Sequence, residues 1–98
     1  MFNMSTYIYV LKLKHDKYYI GRTANRKQRM DNHFSGQGAK WTQLHKPKKI
    51  IEMYKETDIK DEYNKTIEYM RKYGWRNVRG AGFCQIDLRN PPLCIPKN

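Results

Sequence analysis

The spacing of apolar and polar positions divides the chain into five elements. Ser5 to Leu13 is rich in Tyr, Ile, Val and Leu and reads as a strand. Lys17 to Gly21 reads as a second, joined to the first through a short polar link at His15-Asp16, so the two form a hairpin. A helix follows to about Phe34, capped by Thr23 or Asn25, with Met30 and Phe34 spaced i,i+4 toward a core. Ser35-Gly36-Gln37-Gly38 breaks it, Ala39 to His45 fits no single template, and Pro47 ends whatever forms there. Ile50, Ile51, Met53 and Tyr54 suggest a third strand.

The clearest pattern is a helix from Thr57 or Asp58 to Tyr73, with Ile59, Tyr63, Thr66/Ile67, Met70 and Tyr73 on one face. Asp58, Asp61 and Glu62 occupy its first turns, Arg71 and Lys72 its last, and Gly74 stands where a terminating glycine belongs. The remainder, with Gly80, Gly82 and three prolines, reads as loop, with a short strand near Phe83–Ile86 and a loop or tail over 87–98. The order β-β-α-β-α predicts an α/β chain of the α+β kind: a small three-stranded antiparallel sheet flanked by helices. At 98 residues it is expected to be one domain, 1–98, with a single modest core.

Charge changes this picture. Lys and Arg number 20 against nine Asp and Glu, a net charge of +11. Residues 1–50 hold eleven basic and two acidic residues, net +9, and residues 51–98 nine and seven, net +2. Such an excess favours a polyanionic partner, because each neutralised phosphate releases condensed counterions. A basic surface kept for solubility is the plainer alternative. No apolar run approaches the ~20 residues of a membrane span. Met1-Phe2-Asn3-Met4-Ser5 lacks both the basic start and the apolar run of a secretory signal, so the chain is expected to be intracellular, cytoplasmic or wherever a nucleic-acid partner would lie, rather than secreted. Cys84 and Cys94 form no CxxC pair, which argues against a disulfide framework. His15, His33 and His45 have no zinc-ligand spacing with them.

The chemistry lies in several linked motifs. Tyr7-Ile8-Tyr9 is followed by Tyr19-Ile20-Gly21, with Tyr9 and Tyr19 ten positions apart. Arg29 comes eight residues after Gly21 and His33 four later, and one helix face carries both. Glu62 precedes Asn77 by fifteen residues, and Asn77 opens Asn77-Val78-Arg79-Gly80. Together these resemble the GIY-YIG nuclease superfamily over about residues 7–83, with Tyr7 standing where the family has its first glycine. Gly38-Ala39-Lys40-Trp41-Thr42 is similar to a loop found in several of its branches.

The resemblance implies a divalent-metal-dependent endonuclease that hydrolyses DNA phosphodiesters with one Mg²⁺ or Mn²⁺. Its catalytic set would be Tyr9, Tyr19, Arg29, His33, Glu62 and Asn77, with Glu62 on the metal. The residue types suit that reaction on their own account. One carboxylate can hold a hard cation that keeps several waters. Arg29 can clamp a phosphate oxygen with two donors. Tyr9 could accept the proton of an attacking water, provided cations lower its pKa of ~10, and Tyr19 and His33 could orient water or relay a proton.

Each residue also has a structural role open to it. The tyrosines could be half-buried strand aromatics, Arg29 and His33 a solvated helix face, Glu62 a favourable charge at a helix start, and Asn77 a turn residue. Glu56 and Glu68 are rival acids. Lys12, Lys14, Lys17, Arg22, Arg26 and Lys40 are candidate DNA contacts. Trp41 could stack on a base or join the core, and Trp75 is expected in the core. Two other functions stay open: a non-catalytic module of the same fold that binds nucleic acid or docks a partner, and, from charge alone, an RNA-binding domain. A partner protein or an additional DNA-binding domain would supply sequence selectivity, and nothing in the sequence sets the oligomeric state.

Overall fold

A computed structural model describes residues 5–97; the N-terminal start read for a signal segment lies, apart from Ser5, outside the described residues. The hairpin pairs β1 (Tyr7–Leu13) with β2 (Lys17–Thr23) through a 3-10 turn, Lys14–Asp16. That turn has three residues, two of them, His15 and Asp16, at positive φ. The odd loop length decides the site, because side chains alternate along a strand. Leu11 pairs with Tyr19 and Tyr9 with Gly21, so Tyr9 and Tyr19 share one face.

Helix α1 (Arg26–Phe34) starts at Asn25, whose side chain accepts from the Gln28 amide at 3.1 Å. The segment that fitted no template forms the short helix α2 (Lys40–Leu44), and β3 (Pro47–Lys55) follows, antiparallel to β1 with two register shifts. Helix α3 (Asp61–Tyr73) closes at Gly74, whose amide donates to the Met70 carbonyl at 2.9 Å.

The expected three-stranded antiparallel sheet needs correction. It has four strands in the order β3-β1-β2-β4 and is mixed, because β4 (Val78–Gly80) runs parallel to β2. Asn77-Val78-Arg79-Gly80 reads as loop in sequence because it carries only three paired residues between a 3-10 turn, Trp75–Asn77, and an irregular segment. The strand expected near Phe83–Ile86 reduces to one bridge between Gly80 and Phe83.

The sheet is packed on both faces. One face carries Ile8, Val10, Tyr18 and Ile20 against Ile67, Tyr69 and Met70 of α3, with Trp75 and Ile95 completing the cluster. The other carries Tyr9, Leu11 and Leu13 with Trp41, bordered by Tyr19, Met30 and Met53. Burying each large apolar side chain contributes roughly 1.5–3 kcal/mol. Trp41 thus belongs to the core, its indole N–H donating to the Tyr18 carbonyl at 3.0 Å. Trp75 is in the core as expected.

Two helix faces differ from expectation. α3 starts at Asp61 because that carboxylate ties down the amides of Thr57 and Asp58 in the preceding turn, leaving Ile59 almost fully exposed. Its buried stripe runs through Thr66, Ile67, Tyr69 and Met70, while Tyr63 and Tyr73 are partly open. On α1 the buried residue is His33, whereas Phe34, last in the helix, is exposed. Over 87–97 the chain forms neither helix nor strand, yet it packs: Ile95 is buried and the Trp75 indole donates to the Lys97 carbonyl.

Candidate active site

The Tyr9 side of the hairpin builds the site. Gly21 sits directly opposite Tyr9, and the phenol ring lies over it so closely that a Cβ there would overlap the ring. Tyr19, diagonal to Tyr9 on the same face, has its ring centroid 6.3 Å away. His33 descends from α1 onto both rings, at 5.5 Å from Tyr9 and 5.3 Å from Tyr19.

Hydrogen bonds order these groups. Tyr9 Oη and His33 Nε2 are 2.8 Å apart and buried. His33 Nδ1 lies 3.1 Å from Thr42 Oγ1, and that hydroxyl donates its one proton to the Ala39 carbonyl at 2.7 Å. Thr42 can therefore only accept from the ring, so Nδ1 carries the proton in the neutral imidazole. Nε2 is left as an acceptor, and the Tyr9 hydroxyl donates to it.

Electrostatics agree with a neutral pair. Burial, helped by the Arg29 charge, lowers the His33 pKa to about 4. Burial pushes Tyr9 up to about 12, opposed by the Arg29 guanidinium. Tyr19 is raised as well, chiefly by burial and then by Tyr9. Tyr9 is fully covered, while Arg29 is exposed and lines a cleft of about 280 Å³ with Tyr19, Asn32, His33, Gln37, Gly38 and Ala39.

Glu62 reaches this region from the opposite layer. The parallel pairing of Ile20 with Gly80 ends β4 beside the hairpin, and the backbone amide of the next residue, Ala81, faces the Glu62 carboxylate. Desolvation raises the Glu62 pKa, with that amide, Arg22 and Arg29 opposing. Its charge is felt at both Tyr9 and Tyr19. Among the described residues Glu62 has no salt bridge, whereas Glu56 pairs with Arg22 at 2.8 Å and Glu52 and Glu68 share Lys65. No group of three or more His, Cys, Asp or Glu side chains gathers among the described residues. One half-buried carboxylate with no ion pair among the described residues suits a hard ion that keeps its waters, and does not suit zinc.

Of the six expected catalytic residues, Tyr9, Tyr19, Arg29 and His33 gather on one side of the hairpin, and Glu62 lies near enough for its charge to act on both tyrosines. Asn77 does not join them. It accepts from Lys17 Nζ at 2.8 Å and donates to the Tyr73 carbonyl at 2.8 Å, tying the hairpin turn to the end of α3. Lys17 pairs with Leu13, four residues along β1 from Tyr9, or about 13 Å at the rise of a strand.

The expected DNA contacts are dispersed. Lys14 lines a depression near His33 and Thr42, Lys40 is exposed beside Cys84, and Lys12 is half-buried. Arg22 is held by Glu56, and Arg26 lies 4.0 Å over the Tyr7 ring. Gly38, Thr42 and Ala81 had no role readable from sequence; only the likeness of the Gly38–Thr42 loop to one in the family pointed that way. A Cβ on Gly38 would collide with His33 Nδ1.

Comparison with known proteins agrees with this geometry. A family model described as the GIY-YIG catalytic domain matches residues 5–73. A UPF0213 protein of Pediococcus acidilactici is 38% identical over 66 residues, 67% of each chain. One of Staphylococcus saprophyticus is 35% identical over 71 residues, 67% of this chain and 87% of its own. One of Streptococcus pneumoniae is 44% identical over 45 residues, and this chain covers 46% of that relative's length, about half. No solved structure matches the chain. With the family model spanning most of the chain and both hairpin tyrosines, this protein belongs to the GIY-YIG family.

Proposed function

We propose that the protein is an endonuclease that hydrolyses DNA phosphodiester bonds with the help of one divalent cation. The observation that carries this reading is the buried Tyr9–His33 hydrogen bond, 2.8 Å long, set beside Arg29 and within the field of Glu62. Glu62 would hold the Mg²⁺ or Mn²⁺ ion, which would supply Lewis-acid stabilisation of a phosphoryl oxygen. Arg29, exposed at the cleft, binds a non-bridging phosphate oxygen through two donors. This reading requires the cover over the Tyr9 hydroxyl to open to water when the substrate binds. Tyr9 then accepts the proton of the attacking water while passing its own to His33 Nε2, so the phenol relays a proton without lingering as phenolate. Negative charge on the bound phosphate favours the imidazolium that results. Tyr19 orients the water from the neighbouring position on the sheet.

The complete burial of Tyr9 favours a second reading, a module of the same fold that grips DNA without cutting it. Plasmid nicking separates the two. Supercoiled DNA with Mg²⁺ should be converted to nicked circles, chelation should stop the reaction, and Tyr9→Phe should abolish it while leaving DNA binding intact. Binding without nicking in Mg²⁺ and in Mn²⁺ would establish the second reading in place of the first.

A further inference from the structure

We infer that Thr42 is a positioning residue for cleavage: it holds His33 in the tautomer whose Nε2 can take the Tyr9 proton. This rests on the nuclease reading above. The chain of bonds has a direction. Thr42 sits in α2, and its hydroxyl donates to the carbonyl of Ala39, three residues back in the same short segment, at 2.7 Å. Such local bonds are set by the backbone of their own turn. The Thr42 oxygen is thus oriented independently of His33, and the imidazole 3.1 Å away must conform to it.

The surroundings remove the alternatives. Thr42 and His33 are each 1% exposed, so water has little access to serve as a substitute partner for Nδ1. Gly38 presses its backbone against the ring, leaving no room for a Cβ, and restrains the ring from turning over. A ring protonated on Nε2 would instead donate to the Tyr9 oxygen. The 2.8 Å contact would persist with its direction reversed, and Nε2 could no longer take the Tyr9 proton. Partners that fix a histidine's tautomer are commonly worth about 10–100-fold in activity where a metal is the acceptor, and a proton acceptor depends on its tautomer for the same reason.

The test uses the full chain labelled with ¹⁵N at histidine, read by long-range ¹H–¹⁵N correlation at neutral pH, beside Mg²⁺-dependent plasmid cleavage. Wild type should show His33 protonated at Nδ1 alone. Thr42→Ser should keep that signature and cut within a few-fold of wild type. Thr42→Val should lose it and cut about 10–100-fold more slowly at unchanged DNA affinity. The wild-type spectrum alone decides the assignment should Thr42→Val fold poorly. A proton on Nε2 in wild type overturns the inference, as does a Thr42→Val protein that keeps the pure Nδ1–H form or cuts at the wild-type rate. If the tautomers behave as stated but wild type cuts no DNA, the tautomer assignment stands and the nuclease reading falls.

Discussion

Gly21 faces Tyr9 across the β1–β2 ladder, and the Tyr9 ring occupies the space a Gly21 side chain would need. The final glycine of the Tyr19-Ile20-Gly21 motif is therefore a packing requirement of the first tyrosine. Gly21→Ala must displace the phenol or distort the hairpin. We expect a stability loss of about 1–3 kcal/mol, as for other overpacked positions. Cleavage should fall by about 100-fold, since a small misplacement at the reacting groups is enough for that. A Gly21→Ala protein that retains full cleavage would show that the position of the Tyr9 ring is immaterial.

Glu62 and Glu68 share α3 but not an environment. Glu62 is half-buried with no salt bridge among the described residues, and Glu68 pairs with Lys65 at 3.0 Å on the surface. Glu62→Gln should lower cleavage at least ~10²-fold, the scale of removing a preorganised electrostatic group. It should leave DNA binding intact or tighter. Glu68→Gln should cut near the wild-type rate. Similar rates for the two variants would remove Glu62 from the metal.

Asn77 joins Lys17 to the Tyr73 carbonyl and stands apart from the tyrosines. Asn77→Ala should lower stability by about 1–3 kcal/mol, one of the two lost bonds being to a charged donor. The cleavage rate per folded molecule should hardly change. Urea unfolding beside single-turnover cleavage distinguishes this from a catalytic Asn77, for which the rate would drop and the stability would not.

The depressed pKa of His33 makes stability depend on pH. Its value falls from 6.5 in the unfolded chain to about 4 in the fold. Above 6.5 neither state holds the proton, so the contribution is complete. Between 6.5 and 4 the unfolded chain binds a proton that the folded chain refuses, and stability falls, by as much as about 3 kcal/mol at the lower limit. Comparing urea midpoints at pH 7 and pH 4.5, His33→Gln should lose less stability than wild type on acidification. Equal losses would mean His33 takes up its proton at an ordinary pH in the fold.

The net charge of +9 on residues 1–50 makes duplex affinity a steep function of salt. Between about 50 and 200 mM salt it should fall by roughly 10³-fold if six phosphates are engaged. Fluorescence anisotropy across that range reads the slope, and a flat response would rule out an electrostatic grip.

What the sequence determined by itself was local and periodic. The two hairpin strands, the first and third helices, the Asn25 cap and the Gly74 stop follow from side-chain spacing and backbone preference within a few residues. The motif spacings singled out Tyr9, Tyr19, Arg29, His33 and Glu62 as candidates. Tertiary structure decided everything that depends on residues far apart in the chain. Three paired residues carry too little periodic signal to mark β4 as a strand; only contact with β2 makes it one and sets Ala81 beside Glu62. The apolar spacing of α1 favoured Phe34 for the core, but Gly38 and Thr42 close over His33 instead, because hydrogen bonds at both ring nitrogens repay its burial. Asn77 kept its motif position and still fell outside the site, since a spacing of fifteen residues along the chain says nothing about which end of the sheet the second residue reaches.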